Sequence, residues 1–462
     1  MTVKQTKTVI TDGAHNFTDE ASYIPPKSPA VREHLEWFRT LKLGFMVHWS
    51  PVTQLGINTS WPLSDGDRSW SQRDIDWVDQ IEEFKEQYWA LNRTFNPVRF
   101  RPDKWASLAK ECGFKYLLFT TKHHDGFCMF DTKMTDYRIT HPDCPFSHHK
   151  YANVTKELFD AFRAQGLAIS AYFSKPDWHS DAYWHRSFGT APTRNVNYDV
   201  DENPELWEEF VQYTHQQFRE LTSEYGKIDT LWLDGGWVRP DNGGQDIRLE
   251  EIVEEIRNTT QPHLIVCDRT VGGAYENIVT PEQTIPKQPM NIPWEANLTI
   301  GSSFSFRYDD VCKSAREIVH IFIDVLSKGG NLALNITPRP DGELPREMVH
   351  RIRQLGRWVA ANNEGIYGTT ISEYKSLPGR KICYTHKEDK EYLFYLYDED
   401  PYLPRYIVAT VPMTIKSVRL LRTGDEIPFT QEKDQVVLDT NGVSLLEAEY
   451  ADCFALIRAD SL

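Results

Sequence analysis

The order of apolar runs predicts an α/β fold, a (β/α)8-like TIM-type barrel followed by a C-terminal antiparallel β-sandwich. Three observations carry this expectation. From about residue 40 to 335, short continuous apolar runs alternate with amphipathic stretches, the pattern of a parallel sheet covered on both faces. At least six such units fit into about 300 residues, which favours a closed barrel over an open sheet. Beyond about 370 the helical period disappears and only short alternating segments remain. Residues 1–370 are therefore expected to form the barrel with an N-terminal extension, and 371–462 the sandwich.

The elements follow in order. "LGFMVHW" (43–49) reads as a buried strand. "PDKWASLAKECG" (102–113) reads as a helix with apolar residues at 105, 108 and 109 and a glycine stop. Strand 115–121, helix 154–166, strand 167–174, helix 204–226 and strand 228–234 come next. Helix 248–260, strand 263–268, a helix around 309–328, strand 331–337 and helix 346–362 complete the first part. The long stretch 275–300 reads as a loop. Six short strands then follow: "KICYTH", "EYLFYLY", "RYIVATV", "SVRLL", "QVVLD" and "CFALIRA".

Composition narrows the function. A net charge of −16 and the lack of a Lys/Arg cluster argue against a nucleic-acid partner. The seven cysteines are scattered and never form CxxC, which fits a reducing compartment better than a disulfide framework or a structural zinc. The N-terminus has no apolar signal core and no run approaches the ~20 apolar residues of a membrane span. A cytoplasmic location is the expectation, unless a leader has been cleaved, and oligomerisation is left open. Aromatics make up 13% of the chain, a supply suited to pockets for ligands with apolar faces, such as sugar rings.

Barrel enzymes place their chemistry at the C-terminal ends of the strands. Those ends supply His48 and Trp49; Lys122, His123, His124 and Asp125; Tyr172 and Ser174; Trp232 and Asp234; Arg269; and Asn335. Asp234 ends the strongly apolar "IDTLWLD" and precedes two glycines, which admit another chain or a ligand close to the backbone. An Asp before Gly also caps turns. An acid here, with His and Trp on neighbouring strands, suits glycoside hydrolysis, which needs a second carboxyl group. Loop 275–300 offers Glu276, Glu282 and Glu295. The pair His123–His124 beside Asp125 also invites a metal, and a metal-dependent barrel hydrolase using His123, His124, Asp125 and Asp234 is the rival reading.

The chain resembles the α-L-fucosidases of glycoside hydrolase family 29. The resemblance rests on "LGFMVHWSP", "FRPDKWASLAKECGFKYLLFTTKHHDGFCMFDTKMTDY", "ELTSEYGKIDTLWLDGG", "PWEANLTIGSSFSF", "GGNLALNITPRPDGELP" and "LGRWVAANNEGIYGT", in that order. It implies a barrel followed by a β-sandwich, as read independently above. It also implies a retaining exo-α-L-fucosidase acting on fucosylated oligosaccharides or glycoconjugates, with no cofactor and no metal. By the match, Asp234 is the nucleophile. Glu282 is the preferred acid/base, with Glu295 as its alternative or as a supporting neighbour. His48, His123 and His124 contact sugar hydroxyls, while Trp61, Tyr172, Trp232 and Arg269 line the sugar pocket. Phe304 or Phe306 packs on the sugar's methyl group. Neutral imidazoles suit hydroxyls, and adjacent histidines on an extended segment are expected to point to opposite sides, a poor arrangement for one ion. Ser60 precedes Trp61 where many relatives carry Glu, which leaves tolerance for L-galactose-type sugars open.

Overall fold

The structure, a computed structural model, describes residues 17–189, 192–374 and 381–459. Seven strands form one curled parallel sheet: β1 (Leu43–Val47), β2 (Tyr116–Lys122), β3 (Ala168–Ser174), β4 (Thr230–Asp234), β5 (Ile265–Asp268), β6 (Glu295–Thr299) and β7 (Asn331–Ile336). Their order is β5-β4-β3-β2-β1-β7-β6. Every residue of these strands is buried, which is why they read as continuous apolar runs rather than as alternation.

Between the two edges, β5 and β6, lies an irregular segment. Asn277 N donates to Val266 O on one side, while Glu295 N and Asn297 N donate to Val279 O and Pro281 O on the other. Residues 275–283 therefore stand where an eighth strand would close the ring. The expected loop 275–300 thus contains the closing segment and β6. The strand was hidden because "EANLT" carries polar residues at alternate positions, Glu295 inside the barrel beneath the cavity and Asn297 and Thr299 in the cavity wall.

The helix Pro29–Arg39 plugs the other end. Ser28 caps it, accepting from Val31 N, and Pro29 sits in its first turn. Its Leu35 and Phe38 pack inside the barrel with Tyr116, Leu118, Ile265 and Ala333. Gly44 makes room for this layer, since a Cβ there would lie 2.2 Å from the Tyr116 ring. The helix expected around 309–328 runs from Ala315 to Ser327. It starts late because Ser314 and Glu317 form a reciprocal capping box, Glu317 N donating to Ser314 Oγ at 3.1 Å and Ser314 N to Glu317 Oε2 at 2.8 Å.

Two antiparallel sheets follow. The strands are β8 (Thr370–Ile371), β9 (Ile382–Lys387), β10 (Lys390–Leu396), β11 (Tyr406–Thr410), β12 (Ile415–Leu420), β13 (Phe429–Glu432), β14 (Gln435–Asp439) and β15 (Ala451–Arg458). One sheet has the order β12-β15-β10-β9-β8 and the other β11-β14-β13. Leu393, Phe454 and Leu456 of the first meet Ile407, Val436 and Leu438 of the second in a separate core. The opposite face of the larger sheet packs on the barrel, where Trp358 Nε1 donates to Ala451 O at 2.8 Å. No described helix is long and apolar enough to cross a membrane.

Candidate active site

The C-terminal ends of the strands surround a cavity of about 610 Å³. Asp234, the last residue of β4, stands in its wall and is almost fully buried. Its Oδ1 accepts from Gly235 N and from Arg269 Nη1, both at 2.8 Å, and its Oδ2 accepts from Tyr172 Oη at 2.5 Å. His124 Nε2 lies 3.7 Å from Oδ2. Burial alone would push this carboxyl up. The Arg269 guanidinium, His124 and the Tyr172 hydroxyl outweigh it and hold Asp234 well below the usual carboxylate range. The glycines after Asp234 serve the fold rather than a ligand. A Cβ on Gly235 would lie 2.3 Å from Pro176 Cδ, and one on Gly236 2.0 Å from Thr270 Oγ1.

Arg269, just beyond β5, reaches a second carboxylate with its other terminal nitrogen, Nη2, which pairs with Glu282 Oε2. Glu282 sits on the irregular closing segment, half-buried at the cavity edge. One planar guanidinium thus spans the two acids.

The other glutamates of that stretch are placed differently. Glu295, the first residue of β6, does not line the cavity. It lies beneath it, Oε2 accepting from Tyr116 Oη at 2.6 Å and Oε1 from Trp232 Nε1 at 3.2 Å. Burial pushes its pKa up to about 7 despite these two donors. Glu276 holds a turn, accepting from Thr270 N and Gly272 N and from Thr18 Oγ1.

Three imidazoles face the cavity. His48 Nδ1 is 2.9 Å from Asn335 Oδ1, and Asn335 Nδ2 donates to Phe304 O at 3.0 Å. The amide orientation makes Oδ1 the acceptor, so His48 carries its proton on Nδ1 and keeps Nε2 as an acceptor. His123 Nδ1 meets Ser60 Oγ at 3.2 Å. Burial lowers the pKa of all three rings, His48 and His124 to about 4, so they are neutral near pH 7.

The expectation that His123 and His124 point to opposite sides is corrected. They follow the end of β2 in a turn, not in extended chain, and their ring centroids are 4.1 Å apart. Their neighbours do turn away from the cavity. Lys122 Nζ pairs with Asp177 Oδ2 at 3.1 Å, and Asp125 Oδ2 accepts from Tyr88 Oη at 2.7 Å.

Trp61, Tyr172, Trp232 and Phe304 complete the wall. Tyr172 and Trp232 stack with centroids 5.1 Å apart, and Phe304 lies 5.1 Å from His48. Phe306 is not part of the wall and packs edge-on against Tyr308, so of the two phenylalanines only Phe304 faces the cavity. Trp49 also turns outward, against Phe95, Phe100 and Trp105.

Sequence reasoning missed Trp70, Arg194, Asn297 and Lys313, all in the wall. Trp70 and Arg194 come from long connections after β1 and β3, where no strand end marks them. His124 Nδ1 and Asn297 Oδ1 are buried with no hydrogen-bond partner among the described residues, capacity that the fold itself does not use.

His123, His124 and Asp234 offer ligand atoms within 4.8 Å of one another. Asp125, the fourth residue of the metal reading, is spent on Tyr88, and both oxygens of Asp234 already accept from protein donors, one of them the cation Arg269. A second cation against that carboxylate would face the guanidinium, so the donor set fits a metal poorly.

A family model described as alpha-L-fucosidase matches residues 12–364. The plasma alpha-L-fucosidase of Rattus norvegicus is 24% identical over 442 residues, covering 89% of this chain and 88% of that one. Among solved structures, alpha-L-fucosidase isoenzyme 1 from Paenibacillus thiaminolyticus matches with a TM-score of 0.77 and 27% identity, covering 93% of this chain and 100% of its own. The Thermotoga maritima alpha-fucosidase in complex with a mechanism-based inhibitor matches with a TM-score of 0.73 and 25% identity, covering 94% and 100%.

Proposed function

This chain belongs to the α-L-fucosidase family, and we propose that it is a retaining exo-α-L-fucosidase that removes terminal α-L-fucosyl residues from glycans by double displacement. The observation that carries this reading is the pair of carboxylates, Asp234 and Glu282, joined through one guanidinium at the wall of a single cavity. Two carboxyl groups close together, about 5–5.5 Å apart, are what retention requires.

In this reading Asp234 attacks the anomeric carbon through Oδ2, which carries one donor against two on Oδ1. The C1–O bond to the leaving group breaks, and Glu282 gives its proton to the departing oxygen. Water then attacks the fucosyl ester, losing a proton to Glu282 and returning the Asp234 carboxylate. Before the first step Glu282 must release Arg269, and a sugar ring wedged beside Asp234 opens that contact. The neutral His48, His123 and His124 suit the sugar hydroxyls, and the Phe304 ring suits the apolar methyl that distinguishes fucose. Glu295, with both oxygens occupied beneath the cavity, supports Trp232 and leaves the proton transfer to Glu282.

The test is release of 4-nitrophenol from 4-nitrophenyl α-L-fucoside, with the anomeric configuration of the first-formed fucose followed by proton NMR. Appearance of the α-anomer first supports double displacement. Appearance of the β-anomer would replace it with single displacement.

A further inference from the structure

We propose that Trp70 is the platform on which the leaving-group sugar stacks, so that it sets the affinity for the saccharide next to fucose. This inference rests on the fucosidase reading above and deepens it.

The argument begins from a gradient of exposure along the cavity. The residues around Asp234 are buried: His124 and Tyr172 are each 1% exposed and Trp232 3%. Trp70 lines the same cavity at 43% exposure. An exo-acting enzyme encloses one sugar at the buried end. Whatever meets the open end belongs to the leaving group.

Trp70 is built as a rigid surface there. Its Nε1 donates to Asp67 Oδ1 at 3.1 Å, so the polar edge of the indole is already satisfied while nearly half of the residue stays open to solvent. Asp67 in turn pairs with Arg194, whose guanidinium lies over Trp61 at 4.6 Å and over Trp237 at 5.0 Å. Trp61 lies 5.6 Å from Trp70 and 5.0 Å from His124, so the platform continues into the wall around Asp234. A flat, fixed aromatic face matches the C–H face of a pyranose, and little side-chain freedom is lost when it stacks. Gln283 and Ser302, exposed on the same cavity, keep acceptor capacity for that ring's hydroxyls, while Gln283 Nε2 donates to Thr299 Oγ1 at 3.1 Å and Ser302 Oγ to Asp310 Oδ1 at 2.7 Å.

The experiment compares wild type, Trp70→Ala and Trp70→Phe on two substrates, α-L-fucosyl fluoride, whose leaving group touches no platform, and a panel of fucosylated trisaccharides. Trp77→Ala serves as a control, because Trp77 is 57% exposed but packs on Phe84 outside the cavity. The expected result for Trp70→Ala is a fall in kcat/KM on the preferred trisaccharide of about fivefold to tenfold, mostly through KM, with partial recovery in Trp70→Phe. The fluoride and the Trp77→Ala variant should stay within twofold of wild type. Trisaccharide kinetics unchanged in Trp70→Ala would overturn the proposal, and so would an equal loss on fluoride and trisaccharide, which would place Trp70 at the fucose itself. A wild-type protein inert to the fluoride would instead fail the fucosidase reading on which the proposal stands.

Discussion

Arg269 Nη1 donates to Asp234 Oδ1 across 2.8 Å, joining the residue after β5 to the last residue of β4. This contact is the largest influence opposing burial at Asp234. On the proposed mechanism Asp234 must be ionised to attack, so activity falls as pH drops through its pKa. In the wild type that pKa is depressed and the acid limb from this group lies far below neutrality. In Arg269→Met the largest influence opposing burial is gone while His124 and the Tyr172 hydroxyl remain, and the acid limb of the kcat/KM profile moves to higher pH. An unmoved acid limb would mean that Arg269 does not govern the charge of Asp234.

On the proposed mechanism, replacement of Asp234 by Ala removes the attacking oxygen. Turnover of 4-nitrophenyl α-L-fucoside should fall roughly ten-thousandfold or more. Sodium azide should restore part of the rate and yield a β-L-fucosyl azide, because azide enters from the face that the carboxylate vacates. Product analysis by NMR checks this, and an α-configured azide would contradict it.

Glu282 and Glu295 separate by leaving group. Glu282→Gln should slow hydrolysis of a fucosylated oligosaccharide by about a hundredfold to ten-thousandfold. It should slow α-L-fucosyl fluoride far less, since fluoride departs with less protonic help. Glu295→Gln should show no such dependence. If the dependence appears in Glu295→Gln instead, the two roles are exchanged.

Glu295 also makes a prediction about stability. Its pKa rises from an ordinary 4.5 to about 7 in the folded chain, so the folded state holds this proton longer than the unfolded one. The sign follows: Glu295 favours folding below pH 4.5, and that contribution is lost as pH rises toward 7. In Glu295→Gln the titration is gone. The gap in Tm between wild type and variant should therefore shift in the variant's favour between those pH values. A gap that stays constant across this window would refute the assignment.

Incubation with EDTA followed by buffer exchange should leave hydrolysis of 4-nitrophenyl α-L-fucoside unchanged. Loss of activity, restored by a divalent cation, would return His123, His124 and Asp234 to a metal site.

The strand ends were legible because a fully buried parallel strand is a continuous apolar run, and most of the polar residues picked out at those ends reach the barrel mouth, Lys122 and Asp125 turning away from it. Asp234, His48, His123, His124 and Arg269 were all found that way. Residues 275–300 were not legible as structure, because polar side chains interrupt the apolar signal in both the closing segment and β6. Trp70 and Arg194 were missed for a related reason, since a tryptophan in a long connection carries no mark of where that connection folds back. The direction of the His123–His124 pair depended on the point at which β2 ends, and a shift of one or two residues there decides whether the rings diverge or converge.

The irregular closing segment 275–283 has one more consequence. Asp234 is locked into a ladder, and moving it by one position would turn it out of the barrel and disturb β3 and β5 together. Glu282 hangs on a seam, fastened by a few separate hydrogen bonds on either side. On the proposed mechanism the proton donor therefore lies outside the seven-strand ladder, held to the backbone of β6 at Asn297, whose N donates to Pro281 O and whose O accepts from Gln283 N. On that mechanism one half of the chemistry is welded to the frame, while the other half is tied to it at a strand edge.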